Sequence, residues 1–158
     1  MNQDLRFRGA TTEDVGLILS FIYELAAYEQ LAHQVTATEE DLLSSLFGQH
    51  ACAQVVFVES AGQPIAFAAF FYYFSTFTGR PDLYLEDLYV KPNARGQGIG
   101  THLLFHLAGL AKARNCAAIR GWVLDSNQSA IDLYRHLGAI PVAGGTVFKA
   151  RLEELNLP

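Results

Sequence analysis

At 158 residues, with 51% hydrophobic and 17% charged residues, the chain has the length of one domain and enough apolar content for a substantial core, which excludes a disordered chain. Its longest apolar run, residues 65–74, is too short for a membrane span of about 20 residues, and the polar start Met1-Asn2-Gln3-Asp4 is not a signal peptide, so a cytoplasmic protein is expected. A net charge of −5 argues against nucleic acid and is compatible with a cationic small substrate, while Cys52 and Cys116 form neither a C-x-x-C pair nor a disulfide framework.

Residues 5–8 alternate like a short strand, and Thr11 with Asp14 three positions on resembles a capping box that opens a helix. Val15, Ile18, Leu19, Ile22, Leu25 and Ala26 form that helix's apolar stripe. Thr38 and Asp41 repeat the capping pattern before a shorter helix ending near Gly48. Residues 54–59 and 65–74 read as strands around the turn Ser60-Ala61-Gly62-Gln63-Pro64, and residues 83–90 continue an antiparallel meander. A glycine-rich loop at 96–100 opens a helix with Ile99, Leu103, Leu107 and Leu110 on its apolar face. The strand predicted at 117–124 has a helix on either side in sequence, which makes it a parallel neighbour of 83–90 through a right-handed crossover. The last helix is predicted over 127–137, and 141–142 and 146–150 flank Gly144-Gly145 as a terminal hairpin. This order predicts an α/β fold in a single domain, residues 1–158, with a mixed central sheet.

The stretch Arg95-Gly96-Gln97-Gly98-Ile99-Gly100 joins an apolar strand to an amphipathic helix. Glycine lets backbone approach a ligand closely, and the first turn of a helix offers unpaired N–H groups to an anion, so this junction suits a phosphate. The dinucleotide fingerprint needs a third glycine where Thr101 stands and an acid about 20 positions on, where Arg120 and Gly121 stand instead. No lysine follows these glycines before Lys112, which disfavours a nucleoside triphosphate loop. A glycine-rich turn without a ligand is the remaining alternative.

The run Leu83-Tyr84-Leu85-Glu86-Asp87-Leu88-Tyr89-Val90-Lys91-Pro92 through Gly100 resembles the acetyl-coenzyme A signature of the GNAT acetyltransferases, R-x-x-G-x-G after a strand. Residues Asn127-Gln128-Ser129-Ala130-Ile131-Asp132-Leu133-Tyr134-Arg135-His136-Leu137-Gly138-Ala139 resemble that family's other helix, N-x-x-A-x-x-L-Y-x-x-L-G-A. Tyr28-Glu29, Leu85-Glu86-Asp87 and Leu124-Asp125-x-Asn127 are most similar to the diamine acetyltransferase group, which includes spermidine/spermine and thialysine enzymes. The resemblance implies a GNAT-like sheet with its parallel pair at the acetyl-CoA site. It also implies cofactor contacts from the amides of Leu88, Tyr89 and Val90, from Arg95, Gly96, Gln97, Gly98, Ile99, Gly100 and Thr101, and from Asn127, Ser129 and Ala130. Tyr28, Glu29, Glu86 and Asp87 would face the amine, acetyl-CoA would be the co-substrate, and the enzyme would be a homodimer. The aromatic run Phe70-Phe71-Tyr72-Tyr73-Phe74 offers apolar surface for such a partner, or is wholly internal.

Acetyl transfer needs three devices. An alkylammonium has a pKa near 10.4, so only on the order of one amine in a thousand is neutral at pH 7 and a base is required. Glu86 lies just before the loop and is assigned as the base, directly or through a water, with Asp87 on the opposite face of an undistorted strand as a substrate-side charge. The competing reading has both acids solvating the strand end, although paired acids in an apolar strand are costly without partners. The second device is a donor for the carbonyl oxygen, which strand amides supply where the strand splays from its neighbour. The third is an acid for the departing thiolate. Tyr134 lies seven residues after Asn127, two helical turns or about 10 Å along one side of a helix, so Asn127 could hold the cofactor arm while the phenol reaches the sulfur. A core aromatic on the Ala130, Leu133 and Leu137 face is its alternative role.

His102 and His106 stand i, i+4 on one helix but lack the glutamate of H-E-x-x-H and a third ligand, so a solvated helix face and no metal are expected. The expected function is N-acetylation of a primary amine on a small cationic metabolite, either a polyamine or diamine or a thialysine-like or lysine-like amino acid. Gln30, Leu31, Ala32 and His33 after Glu29 give fewer acids than polyamine pairing favours. A protein amine is the alternative substrate, and a non-catalytic acyl-CoA sensor a further one. No nucleic acid and no membrane are expected as partners.

Overall fold

The computed structural model describes residues 4–152, so the polar start at 1–3 lies outside the described residues. Strand β1 (Leu5–Gly9) leads through a short 3₁₀ turn into α1 (Val15–Tyr28), and α2 (Glu39–Phe47) follows. Strands β2 (Gln54–Ser60), β3 (Gln63–Ser75) and β4 (Arg80–Val90) come next, then α3 (Ile99–Ala113), β5 (Ile119–Gly121) and α4 (Gln128–His136). The sheet order is β1-β2-β3-β4-β5, antiparallel from β1 to β4 and parallel between β4 and β5, the mixed arrangement expected.

Local chemistry explains most boundaries. Both capping boxes form: Asp14 accepts from the Thr11 N–H at 2.7 Å, and Asp41 from the Thr38 N–H at 2.9 Å. The β2–β3 turn is a two-residue one, with Ala61 and Gly62 at φ 48° and 75°, the left-handed values such hairpins demand. One face of the sheet packs on α1, where Ile18, Phe21 and Leu25 meet Val55, Phe57, Phe67 and Tyr89. Phe21, absent from the expected stripe, is fully buried at its centre, whereas Leu19 and Ile22 are only half-buried. On the other face α3 buries Ile99, Leu103, Leu104, Leu107 and Ala111, with Leu110 half-buried. His106 also departs from expectation: its ring stacks on Phe7 at 4.7 Å, and burial holds its pKa below the usual histidine value. Buried Asp82 on β4 accepts from the Tyr73 hydroxyl of β3 at 3.0 Å and from Arg120 Nε of β5 at 2.8 Å, tying three strands together. Burial alone would raise its pKa, but these bonds outweigh it and hold the carboxyl below its ordinary value.

Two expectations are corrected. The strand predicted over 117–124 shrinks to Ile119–Gly121, pairing from Leu83–Ile119 to Leu85–Gly121. The terminal hairpin does not form: residues 141–142 and 146–150 are irregular, with Val142, Val147 and Phe148 at least 80% exposed. Two short strands without a face to bury are marginal on their own, and Pro141 lacks an N–H for a ladder. The chain divides after Leu124 into two compact units, the second carrying α4.

Candidate active site

The glycine loop has the conformation its composition implies. Gly96 and Gly98 sit at φ 73° and 76°, and Gly98 is the N-cap of α3 with no side chain bonded to the helix start. The Gly98 carbonyl accepts from the His102 N–H at 3.0 Å, the first bond of the helix, so the N–H groups of Ile99, Gly100 and Thr101 have no partner in the helix. A Cβ on Gly96 or Gly98 would meet nothing within 4 Å, so the glycines serve the left-handed backbone and keep the space outside it clear. Gln97 Nε2 donates to the Asn93 carbonyl at 3.3 Å, folding the loop onto its preceding turn. Exposed amides at a helix N-terminus with no side chain over them suit a pyrophosphate.

Strand β4, which delivers the chain to this loop, carries a bulge. Ala69 lies opposite Asp87 and Phe70 opposite Leu85, leaving Glu86 as the extra residue. Even spacing would put Leu85 and Asp87 on one face. The bulge instead puts Asp87 on the α1 face, opposite Ala69 of the α1 cluster, while Leu85 stays opposite Phe70 on the other. The strand is therefore not the undistorted one on which Glu86 and Asp87 were expected to diverge.

The same ladder fixes which amides face outward. Lys91 N–H donates to the Ile65 carbonyl at 2.9 Å, so by antiparallel alternation Tyr89 and Asp87 bond to β3, and Leu88 and Val90 present their polar groups to the other side. Arg95 Nε takes the Val90 carbonyl from that side at 2.9 Å. The β5 ladder ends at Leu85, before those residues, and Gly121 makes its last rung close: a Cβ there would stand 3.2 Å from the Leu85 carbonyl oxygen. The ladder to β5 thus stops at the residue before the bulge.

Three carboxylates gather next to it. Glu86 is exposed and Asp87 half-buried, while Glu29 lies at the C-terminal end of α1. Burial, with the charges of Glu86 and Glu29 added, pushes the Asp87 carboxyl up to about 6. Because the folded value lies above the unfolded 3.8, the stability Asp87 contributes is fully present below about pH 4 and is lost as pH rises through about 6. A gap of roughly two units is worth at most about 3 kcal/mol. Asp87→Asn is expected to raise the melting temperature at pH 7.5 and to give no such gain at pH 4. Thermal melts with equal shifts at both pH values would assign the effect to packing instead.

Tyr28 is also placed near the loop, its ring 4.4 Å from the Arg95 guanidinium carbon, with the Tyr89 ring at 5.3 Å. Two residues not singled out from sequence join this cluster: Lys91 Nζ lies 3.7 Å from Glu24 Oε1 and 4.9 Å from the Phe21 ring centre. Their only sequence signal is that Phe21, Glu24 and Tyr28 share a face of α1 by spacing. In the second unit, Asn127 caps α4, its Oδ1 accepting from the Ala130 N–H at 3.2 Å, with Ser129 exposed in the first turn and Tyr134 half-buried two turns on. Among the described residues no group of three or more His, Cys, Asp or Glu is arranged to hold a metal, and no helix is long and apolar enough to cross a membrane.

The acetyltransferase (GNAT) family model matches residues 19–139. The chain belongs to the GNAT acetyltransferase family. Thialysine N-epsilon-acetyltransferase of Sus scrofa is 41% identical to it over 140 residues, covering 84% of this chain and 82% of the relative. The Mus musculus protein of that name is 39% identical, covering 85% and 83%. Human spermidine/spermine N(1)-acetyltransferase-like protein 1 is 31% identical across 95% of this chain, which spans only 23% of that longer protein. Among solved structures, an integron cassette protein from the mobile metagenome of V. cholerae has a TM-score of 0.80 at 25% identity, covering 98% and 97% of the two chains. As a GNAT N-acetyltransferase the chain moves acetyl to an amine, and the loop before α3 fits the acetyl-CoA that this family uses.

Proposed function

We propose that this enzyme acetylates a primary amine of a small cationic metabolite, and that a lysine-like amino acid such as thialysine fits better than a polyamine. The observation that carries the reading is that Glu86 and Asp87, on the strand that runs into the glycine loop, have the charge of Glu29 from the end of α1 beside them. Three acids attract an ammonium, yet few others follow Glu29 to pair a second and third amine. The names of the relatives at about 40% identity point the same way. A panel of thialysine, lysine, spermidine and a lysine-containing peptide with acetyl-CoA, followed by free-thiol release, tests it. Turnover of the peptide alone would move the assignment to protein amines.

In this reading the amides of Ile99, Gly100 and Thr101, with Arg95 and Gln97, hold the pyrophosphate, while Leu88 and Val90 N–H groups bond the acyl and pantetheine arm where β5 no longer covers β4. Glu86 takes the proton from the ammonium, directly or through water, and Asp87 with Tyr28 and Glu29 keeps the cation in place. Asn127, Ser129 and Ala130 contact the cofactor arm, and Tyr134 gives its phenolic proton to the departing thiolate. A second copy of the chain completes the enzyme, supported by the exposed Phe74 and Phe77 at the β3–β4 turn.

The Tyr134 role has a direct test. A phenol near pKa 10 and a thiol near 8.5 are nearly matched, so the tyrosine's help is real but bounded. Tyr134→Phe keeps the ring and is expected to preserve fold and cofactor affinity while cutting kcat by roughly one to three orders of magnitude. A kcat within a factor of about two of wild type, under 0.5 kcal/mol of barrier, would make Tyr134 a packing residue.

A further inference from the structure

Helix α1 reaches both sides of the site through one face. Phe21, Glu24 and Tyr28 follow at spacings of three and four, so their side chains line a single ridge. That ridge holds the two basic residues that bracket the turn before the glycine loop. Lys91 lies over the Phe21 ring at 4.9 Å and pairs with Glu24 at 3.7 Å. Arg95 lies over the Tyr28 ring at 4.4 Å, with its Nε bonded to the Val90 carbonyl. Beyond Tyr28 the helix ends at Glu29, whose charge acts on Asp87 in the acidic cluster.

We propose that Tyr28 is a positioning residue for coenzyme A rather than only a wall of the amine pocket: its ring fixes Arg95, so that the guanidinium stands ready beside the phosphate loop. The proposal rests on reading that loop as the pyrophosphate site. A flexible arginine gives up rotamer freedom when it is fixed, and fixing it before the ligand arrives removes that cost from binding. One N–H is spent on the Val90 carbonyl and another on the Tyr89 hydroxyl, and a guanidinium carries five, so donors remain for a phosphate. The aromatic face is what the arrangement needs, not the phenol. Binding of coenzyme A and placement of the α1 end next to the amine are thereby linked through two consecutive residues, Tyr28 and Glu29.

Calorimetric titration of the full chain with coenzyme A tests this. An exposed cation–π contact predicts roughly 2- to 5-fold weaker binding for Tyr28→Leu, and wild-type affinity for Tyr28→Phe, which keeps the ring. Tyr28→Met, which keeps bulk without an aromatic face, is expected to behave as Tyr28→Leu does and stands in for it if the leucine variant fails to fold. Arg95→Gln is expected to weaken binding, and adding Tyr28→Leu to it is expected to cost nothing further. Unchanged affinity in folded Tyr28→Leu or Tyr28→Met, equal losses in Tyr28→Phe, or additive losses in the double variant would overturn the proposal. Gly98→Val separates the two claims: if it abolishes coenzyme A binding while the Tyr28 variants bind normally, the loop assignment stands and the positioning role falls.

Discussion

Gly98→Val is expected to abolish coenzyme A binding while the chain still folds. Gly98 sits at φ 76°, where an L-residue costs roughly 1–2 kcal/mol and a β-branched one more. That strain falls on an exposed N-cap rather than in the core, and the added side chain meets no protein atom within 4 Å of its Cβ. The isopropyl group is instead free to stand in the open space outside the loop, at the position that caps α3. Each hydrogen bond from an N–H to a charged phosphate oxygen is worth about 1.5–3 kcal/mol, so losing two lowers affinity at least about 100-fold. Calorimetry on a variant with wild-type circular dichroism is decisive, and unchanged affinity there would remove the phosphate loop from the mechanism.

With Glu86 as the proposed base, Glu86→Gln is expected to lower kcat/KM by about 10²–10⁴ at neutral pH, the usual range for loss of a general base. The loss is greatest below the pH at which the amine deprotonates itself and shrinks as alkali supplies the free amine. Glu86 is exposed at the bulge and can meet water, which suits proton removal through a solvent molecule. The variant also takes one negative charge from the neighbourhood of Asp87, so the Asp87 pKa falls from about 6 toward the ordinary carboxylate value. Parallel pH–rate profiles for variant and wild type would show that Glu86 is not the base.

The parts of this enzyme written in short stretches of chain were legible from them. Thr11 with Asp14 and Thr38 with Asp41 are local devices, and both close as their spacing requires. Gly96 and Gly98 marked a junction open to close backbone approach, and both sit in the left-handed region that glycine adopts freely. What depended on distant partners was not legible. The bulge at Glu86 arises from the pairing of β4 with β3, and nothing in Leu85-Glu86-Asp87 itself marks which residue is the extra one. Phe21 was missed because the expected stripe skipped the residue that the sheet buries most deeply. Lys91 and Arg95 carried no sign that α1 holds them, since that contact spans more than sixty residues of chain. The last strand came out shorter than predicted and the hairpin did not form for another reason: apolar residues propose a strand, but only a neighbour and a covered face sustain one.

The extra residue at Glu86 gives β4 a frame, much as a spacer sets the phase of a repeating thread. Exchanging the Glu86 side chain alters one group and leaves the count intact. Removing the residue, backbone included, would leave Leu85 and Asp87 consecutive, on opposite faces and each against its present partner on β3, and would take out the local bend. The proposed base and the bend that carries it would then be lost together, while Asp87, Leu88 and Val90 would keep their places opposite Ala69, Ala68 and Ala66.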